Sequence, residues 1–261
     1  MTWDPQTYLQ FGSERTRPAA ELLSRISLEA PERIADLGCG PGNSTALLAA
    51  RWDGAKIDGV DSSPEMLNRA RASDIKAVWT QADIASWSPA HRFDVIYANA
   101  ALQWVPRHTE LLPHLVSHLS LDGVLAFQVP RNFDEPCHTL IHDVANDGPW
   151  TDKLRDVQDW WNVLAPEDYF DILEPLCDAV DIWETRYLQA LHGKDAVFDW
   201  MSGTGLRPYA AALEGVEREA FLAEYRRRVA QAYPPRASGV TLYPFRRLFC
   251  VAHRRSAYSS S

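Results

Sequence analysis

The chain is an acidic polypeptide of 261 residues, of which 46% are hydrophobic and 23% are charged. Its formal net charge of −9 argues against general binding to nucleic acids or anionic membranes, because these polyanions repel an acidic protein. A run of about 18 apolar residues and a leader-like N-terminal pattern are both missing, so we predict neither a transmembrane helix nor a signal peptide. The four cysteines form no C-x-x-C pair, which favours a reducing, cytoplasmic location.

The first half of the chain alternates strand-like and helix-like stretches. Such alternation, with strands that are apolar on both faces, predicts a parallel sheet covered by helices. Strands are predicted at 33–37, 55–60, 76–80, 93–98 and 123–129, and helices at 44–51, 65–71 and 108–119.

The pattern loosens after Pro130, and residues 131–175 carry no clean repeat. A long strand is then predicted at 180–191, a helical stretch at 195–233 and a final strand at 245–253. A strand, a helical insertion and a returning strand predict an antiparallel pair at the edge of the sheet. The expected divisions are an N-terminal helical cap segment at 1–30, a core at 31–192 that includes the irregular cap-like stretch 131–175, a helical cap insertion at 193–240, and the last core strand with a tail at 241–261.

A glycine-rich loop directly follows the first predicted strand. It contains Gly38, Gly40 and Gly42, spaced G-x-G-x-G rather than the G-x-G-x-x-G of dinucleotide-binding oxidoreductases. Glycines let the backbone turn tightly and approach a ligand, and ligands of open α/β sheets bind at the carboxyl ends of the strands. Asp61 ends the second predicted strand, where a carboxylate suits the two hydroxyls of a ribose. The pattern therefore predicts a ribose-containing ligand at this edge.

Acidic and polar residues follow each of the first four strands. Asp36 precedes the loop, Asp61 ends the second strand, Asp83 follows the third, and the run 93–99 leads out of the fourth to Asn99. Residues 31–130 thereby resemble the class I S-adenosylmethionine-dependent methyltransferases. The resemblance implies an α/β, Rossmann-like fold: a mostly parallel seven-stranded sheet with an antiparallel edge strand, helices on both faces and a helical cap. It also implies S-adenosyl-L-methionine as cofactor and S-adenosyl-L-homocysteine as its product.

The same resemblance implies which residues bind the cofactor. They are Asp36 before the loop, Gly38 and Gly40 at the methionine part, Asp61 at the ribose, Ser62 and Met66 near the adenosine, Asp83 and Ile84 at the adenine, Asn99, Leu102 and Trp104 beside the sulfonium, and Tyr8 and Arg17 at the cofactor's own carboxylate. For Trp104, a cation–π contact with the sulfonium and simple packing both stay open.

Several further runs along the chain narrow the resemblance. The segments 8–11, 14–23, 99–104, 162–169 and 201–209 look like those of the trans-aconitate 2-methyltransferase family. The run 201–209 is the most distinctive, because generic methyltransferases lack it. The resemblance implies methyl esterification of one carboxylate of trans-aconitate, a small tricarboxylic acid.

A carboxylate substrate agrees with the residue types available. A carboxylate is already anionic at neutral pH, so it needs no strong general base, and we predict catalysis by positioning with no catalytic acid or base. Recognition of a trianion calls for guanidinium and hydroxyl donors. The expected substrate-binding residues are Arg207 first and Arg131 second, followed by Tyr209, Phe11 and Arg15.

Two alternative functions stay open. One is methylation of another small acid or of a free carboxylate on a carrier protein, and the other is a non-catalytic binding module.

Two histidine pairs at i, i+4 spacing, His114 with His118 and His138 with His142, lack a third ligand, so we predict no metal site and interpret them as helix-surface histidines. The expected partner is a small tricarboxylate, with no nucleic acid and no membrane.

Basic residues are unevenly distributed along the chain. There are 22 arginines and 4 lysines, and residues 207–261 hold ten of the arginines against four glutamates. The local balance is +6 in this segment and −15 in residues 1–206. Because a local field can attract a small anion to an acidic protein, this asymmetry suggests an arginine-bearing cap that holds a tricarboxylate over the methyl donor.

Overall fold

The computed structural model describes residues 16–157 and 162–256. The chain divides into two compact units, each assembled from segments that are distant in sequence. The first comprises the described residues of Met1–Pro130, Trp161–Thr185 and Arg247–Ser261, and the second those of Arg131–Trp160 and Arg186–Arg246. Tyr8, Phe11 and Arg15, which the sequence assigned to the cofactor and substrate, lie outside the described residues.

A seven-stranded sheet with the order β3-β2-β1-β4-β5-β7-β6 organises the fold. Strands β1 to β5 pair in parallel, and β7 pairs antiparallel with β5, which confirms the predicted mixed sheet. The strands are β1 (Arg33–Leu37), β2 (Lys56–Asp61), β3 (Val78–Gln81), β4 (Phe93–Asn99), β5 (Leu119–Pro130), β6 (Cys177–Leu191) and β7 (Thr241–Arg254).

The strand order reverses between β1 and β4, which are neighbours in the sheet although two strands separate them in sequence. Such a switch point opens a crevice at the carboxyl ends of the two strands. The glycine loop and the residues that follow Asn99 both begin there, so the chain order alone brings two of the predicted site segments to one place.

The helices of the first unit are α1 (Arg17–Ser24), α2 (Asn43–Arg51), α3 (Pro64–Arg71), α4 (His108–Ser117) and α7 (Pro166–Leu173), with short 3₁₀ turns at Ile84–Ser86, Leu102–Trp104 and Glu174–Leu176. Three of them, α2, α3 and α4, match predicted helices with small shifts, α1 lies in the predicted helical cap segment 1–30, and α7 was not predicted. Helix α4 ends before the predicted position 119, because Leu119 already pairs with Phe93 as the first residue of β5.

Helices of the second unit are α5 (Pro136–Ala145), α6 (Thr151–Leu154), α8 (Ala196–Ser202), α9 (Arg207–Ala211) and α10 (Gly215–Ala232). The helical stretch predicted at 195–233 is thus divided into three, and the region that showed no repeat contains helices α5, α6 and α7. Pro136 and Pro166 occupy first-turn positions of α5 and α7, where proline is tolerated. Helices α5 and α7 were not predicted, because no clean apolar repeat stands out in this part of the sequence.

Each unit has its own apolar core. All four cysteines are buried and carry free thiols. Within the described ranges, no helix is both long enough and apolar enough to cross a membrane.

Candidate active site

The loop after β1 turns sharply at Gly38, whose φ is +68°. The main-chain N–H groups of Gly38 and Cys39 both donate to the carbonyl of Val60, at 2.8 and 3.0 Å, which pins the loop to the end of β2. A Cβ atom at position 38 would lie 2.3 Å from the Cβ of Ala101. Both the backbone conformation and the close approach therefore require glycine at this position. Ala101 escaped prediction as a site residue, because its proximity to Gly38 arises only when β1 and β4 pair.

Asp61, at the end of β2, joins the glycine loop to the start of α3. Its Oδ2 accepts from the N–H of Gly40 at 2.8 Å, and its Oδ1 accepts from the N–H of Ser63 at 2.8 Å. Ser63 in turn caps α3 by accepting from the N–H of Met66 at 3.3 Å. A carboxylate has about four lone-pair directions, so two acceptor positions remain for a ligand.

Asp36 lies near the end of β1 and is fully buried. Its Oδ2 accepts from the hydroxyls of Ser44 at 2.8 Å and Thr45 at 2.6 Å, whereas Oδ1 has no hydrogen-bond partner in the described part of the chain. Burial is the main cause that raises the pKa of Asp36 to about 6, and the charge of Asp61 adds to it. A buried carboxylate with one unpaired oxygen is costly, which is typical of a site that receives a cation.

Replacement of Asp36 by asparagine is expected to stabilise the ligand-free protein. Because the pKa of Asp36 is raised on folding from 3.8 to about 6, the folded state loses stability as pH rises between these values and carries the full cost above them. The free energy of unfolding of Asp36→Asn minus that of the native chain should therefore be larger at about pH 8 than at about pH 5. Denaturant titrations at the two pH values measure this difference, and a difference that shrinks as pH rises would contradict the assignment.

Two residues after β3 lie beside the glycine loop. Asp83 is exposed and caps the turn Ile84–Ser86 by accepting from the N–H of Ala85 at 2.9 Å. Ile84 is buried, and its Cδ1 lies 3.7 Å from the position of a Cβ on Gly38. Gly38, Ile84 and Ala101 therefore converge, although they follow three different strands.

The segment after β4 borders the same convergence. Asn99 is the last residue of β4, and its Oδ1 accepts from Gln128 Nε2 at 2.7 Å. The Oε1 of Gln128 in turn accepts from Arg247 Nη1 at 3.1 Å. Leu102 is buried in the 3₁₀ turn that follows, whereas Trp104 is 49% exposed. Exposure of so large an apolar side chain at the ligand edge of a sheet is a stronger indication of a binding site than exposure of a small one.

Three other predicted cofactor residues lie at or near the surface of the first unit. Ser62 is exposed, and its carbonyl accepts from Gln81 Nε2 at 3.3 Å. Met66 is half-buried in the first turn of α3, and Arg17 is the exposed first residue of α1.

The predicted substrate residues that the structure describes belong to the second unit. Arg207 is exposed at the start of α9, with no ion pair to any described residue. Arg131 is half-buried, and its main-chain N–H donates to the carbonyl of Arg246 at 2.9 Å. Tyr209 is only 2% exposed and stacks on Phe221 with ring centroids 6.2 Å apart, so the structure gives it a packing role. Its contact with substrate stays a prediction.

Most of the arginine surplus near the chain end is neutralised locally. Arg226 pairs with Asp195, Arg228 with Asp147 and Glu224, Arg227 with Glu224, Arg246 with Asp134, and Arg255 with Asp178. All these acids except Glu224 lie outside residues 207–261, which is why the segment seemed strongly basic in the sequence. Arg207, Arg218 and Arg236 are the arginines of helices α9 and α10 and the following turn that lack an ion pair within the described residues. An arginine-bearing cap that holds the substrate stays a prediction.

Three of the four paired histidines have a ring nitrogen near a polar protein atom, whereas the buried Nε2 of His118 has no hydrogen-bond partner among the described residues. His114 Nε2 lies 2.8 Å from the carbonyl of Trp87, and His142 Nδ1 lies 3.4 Å from the hydroxyl of Tyr209. His138 is buried rather than on a helix surface as predicted, and its Nε2 lies 3.4 Å from Asn132 Nδ2. Among residues 16–157 and 162–256, no three His, Cys, Asp or Glu side chains are grouped as metal ligands.

Comparison with known proteins agrees with this geometry. A family model described as a methyltransferase domain matches residues 11–172. The YcgJ protein of Bacillus subtilis superposes with a TM-score of 0.60 at 12% identity, covering 92% of this chain and 98% of the other. Phosphoethanolamine N-methyltransferase 2 of Haemonchus contortus, in complex with S-adenosyl-L-methionine, has a TM-score of 0.54 at 13% identity over 92% of this chain and 52% of its own. The fold is that of a class I methyltransferase.

A curated relative gives the particular family. Trans-aconitate 2-methyltransferase of Azoarcus sp. is 48% identical over 253 residues, which cover 97% of this chain and 99% of the relative. The chain belongs to the trans-aconitate 2-methyltransferase family.

Proposed function

We propose that this protein transfers the methyl group of S-adenosyl-L-methionine to one carboxylate of trans-aconitate, producing a monomethyl ester and S-adenosyl-L-homocysteine. The observation that carries the proposal is the match to a relative of that name over nearly the full length of both chains. The sequence identity with this relative extends through the second unit, most of which lies beyond the residues that the methyltransferase family model matches. The identity therefore supports the choice of substrate as well as the choice of cofactor.

The residues at the carboxyl ends of β1 to β4 fit the cofactor. Its sulfonium and ammonium groups are cations, and the buried carboxylate of Asp36 supplies negative charge at low dielectric. Gly38 lets the loop approach Ala101, in the segment after β4, more closely than a Cβ would allow. Asp61 keeps acceptor positions for the two ribose hydroxyls, and Asp83 with Ile84 is assigned to the adenine edge and face. We assign Gly40, Ser62, Met66, Asn99, Leu102, Trp104, Tyr8 and Arg17 to the remaining contacts, as the sequence predicts.

The reaction requires positioning more than acid–base chemistry. When bound, the cofactor supplies an electrophilic methyl group on a sulfonium that leaves as a neutral thioether. The substrate carboxylate is ionised at neutral pH and attacks the methyl carbon directly, with no proton to remove. The task of the protein is to align the carboxylate oxygen with the carbon–sulfur bond, exclude water and hold the other two carboxylates, so chain residues act by orientation.

Arg207 is assigned to the substrate because its guanidinium is exposed and lacks an ion pair among the described residues. Arg131 is the second assignment. Phe11, Arg15 and Tyr209 remain weaker assignments, and Tyr209 is the weakest because it is packed in the core of the second unit.

The variant Arg207→Ala is expected to raise the KM for trans-aconitate. Loss of a charged hydrogen bond to a carboxylate corresponds to about tenfold to hundredfold in affinity, whereas the Kd for the cofactor should stay unchanged. Arg218→Ala is the matched control, since Arg218 is exposed on α10 and also lacks an ion pair within the described residues. Steady-state kinetics and calorimetric titration with the cofactor separate the two constants. Equal rises in both constants, or an equal effect of Arg218→Ala, would contradict the assignment.

The substrate is tested with a panel of acids. The kcat/KM for trans-aconitate should exceed those for cis-aconitate, citrate and simple dicarboxylates, because three carboxylates in one fixed geometry must be matched. A higher kcat/KM for another small acid, or methylation only of a carboxylate carried by a protein, would replace trans-aconitate as the substrate while leaving the methyltransferase chemistry in place.

A further inference from the structure

The segment 100–107, directly after β4, concentrates features that cost free energy. Ala100 and Arg107, at its two ends, have φ values of +54° and +58°. In the described part of the chain, Asp122 is the only other non-glycine residue with positive φ. Between them, Gln103 is buried, and its Oε1 has no hydrogen-bond partner among the described residues. Strained backbone and unpaired polar groups persist where the surrounding structure enforces them, and they cluster at functional sites.

Hydrogen bonds from three directions hold this segment. The N–H of Ala100 donates to the carbonyl of Gln128 in β5 at 3.0 Å, and the N–H of Asn162 donates to the carbonyl of Gln103 at 3.0 Å. His108, the first residue of α4, places Nε2 at 2.9 Å from the carbonyl of Leu102. The last contact fixes the turn that carries Leu102 and Trp104.

A second hydrogen bond fixes the orientation and tautomer of His108. Its Nδ1 lies 2.7 Å from the hydroxyl of Tyr169 in α7, and both side chains are buried. A carbonyl only accepts, so Nε2 carries the proton, and Nδ1 accepts from the Tyr169 hydroxyl. That hydroxyl oxygen also accepts from the N–H of Leu164 at 3.2 Å. Burial lowers the pKa of His108, which keeps the ring neutral in this arrangement.

The ring of Tyr169 is itself immobilised by the sheet. It packs edge-on against Phe127 of β5, with ring centroids 5.3 Å apart. Tyr169, Leu164 and Asn162 belong to one run, 162–169, and two of its main-chain N–H groups enter the same network. The turn between Ala100 and Arg107 is therefore tied through His108 and Tyr169 to the buried core of the first unit.

We propose that His108 and Tyr169 are positioning residues for methyl transfer. They hold the turn Leu102–Trp104, which lies between the two positive-φ residues Ala100 and Arg107, through the Leu102 carbonyl, and so set where Trp104 and the Gln103 main chain stand relative to the reacting groups. This inference rests on the proposed function, which assigns that turn to the side of the sulfonium. Neither residue contacts the reacting atoms in this account.

Tyr169→Phe tests the proposal, because it deletes only the hydroxyl that orients His108. A misalignment of the turn should lower kcat about tenfold or more, while the Kd for the cofactor changes by no more than about twofold. The matched control is Tyr225→Phe, since the hydroxyl of Tyr225 is also buried and donates to the carbonyl of Cys137 at 2.8 Å, within the second unit. Both variants should lower the melting temperature by similar amounts, and only Tyr169→Phe should lower kcat. An unchanged kcat, or equal losses in both variants, would overturn the proposal.

Hydrogen–deuterium exchange of the peptide that spans residues 100–107 gives a second readout, which needs no substrate. Exchange in this peptide should accelerate in Tyr169→Phe and not in Tyr225→Phe, and equal exchange in the two variants would overturn the positioning role of His108 and Tyr169. The native chain in the turnover assay separates the two hypotheses. Without turnover of trans-aconitate by the native chain the proposed function fails, whereas native turnover with an unaltered Tyr169→Phe variant defeats only the positioning role.

Discussion

Gly38→Ala is expected to abolish binding of S-adenosyl-L-methionine. The added Cβ would lie 2.3 Å from the Cβ of Ala101, and the residue would have to keep a φ of +68°. A methyl group at that distance forces the loop away from the segment after β4, so the surface that faces the methionine part of the cofactor is rebuilt. We expect an affinity loss of more than about hundredfold, since a displacement near 1 Å at a positioned site has effects of that size. Calorimetric titration with the cofactor measures the Kd directly.

The backbone strain is controlled for by Gly215→Ala. Gly215 has a φ of +53°, and a Cβ there meets nothing within 4 Å in the described residues, so the variant carries a similar conformational cost without a clash. Both variants should lose about 1 kcal/mol of stability from the left-handed backbone alone. Circular dichroism checks that Gly38→Ala still folds. Cofactor binding by folded Gly38→Ala at native affinity would contradict the assignment of the loop.

Asp61→Asn is expected to weaken cofactor binding about hundredfold, because it affects both the loop and the ribose. The native carboxylate accepts from the N–H groups of Gly40 and Ser63 with its two oxygens. An asparagine amide replaces one oxygen with an NH₂ group, which then faces a main-chain N–H and cannot accept from it. One end of the glycine loop loses its anchor, and one ribose hydroxyl loses its acceptor.

Asp94→Asn is the matched control for Asp61→Asn. The Oδ2 of Asp94 also accepts main-chain N–H groups, from Glu32 at 2.8 Å and Arg33 at 3.0 Å, but Arg33 begins β1 and so lies at the opposite edge of the sheet. Both variants should destabilise the fold, and only Asp61→Asn should raise the Kd for the cofactor. A similar Kd for the two variants would mean that Asp61 acts on stability alone.

The strands, and the positions of the glycine loop and Asp61 at their ends, could be predicted because their signals are local. Strand β1 has the predicted bounds, and Asp61 ends β2 as expected, since an apolar run that stops at a polar residue marks the end of a strand. The parallel sheet follows from alternation, and chain order then brings the strand ends together. The glycine spacing indicated the loop for the same reason, because a turn that requires positive φ usually requires glycine, which is visible in the sequence.

Features that depend on distant partners could not be predicted. The clash partner of Gly38 is Ala101, which approaches only through the pairing of β1 and β4. The ion pairs of the arginine-rich end could not be predicted, because Arg228 and Arg246 pair with Asp147 and Asp134, which are far away in sequence. Helix α5 has no side-chain cap before it and lies in a stretch without a clean apolar repeat, so its signal was weak.

The hydrogen-bonded pair of His108 and Tyr169 is another feature that depends on distant partners and could not be predicted. The run 162–169 contributed to the family resemblance, but nothing in its spacing relates Tyr169 to a histidine 61 residues earlier. The relation becomes visible only when α7 and α4 pack on the same sheet. The sequence therefore located the turn that follows β4, whereas the structure shows which side chains fix its shape.

The most direct test of the central claim is transfer of an isotopically labelled methyl group. Purified protein is incubated with S-adenosyl-L-methionine labelled in its methyl group and with trans-aconitate, and the product is examined by mass spectrometry before and after mild base. The account predicts one labelled methyl group on the tricarboxylate, held as an ester that base releases as methanol, with one S-adenosyl-L-homocysteine formed for each ester. Binding of the cofactor without label in trans-aconitate, or a labelled product that resists base, would contradict carboxyl methylation of this substrate.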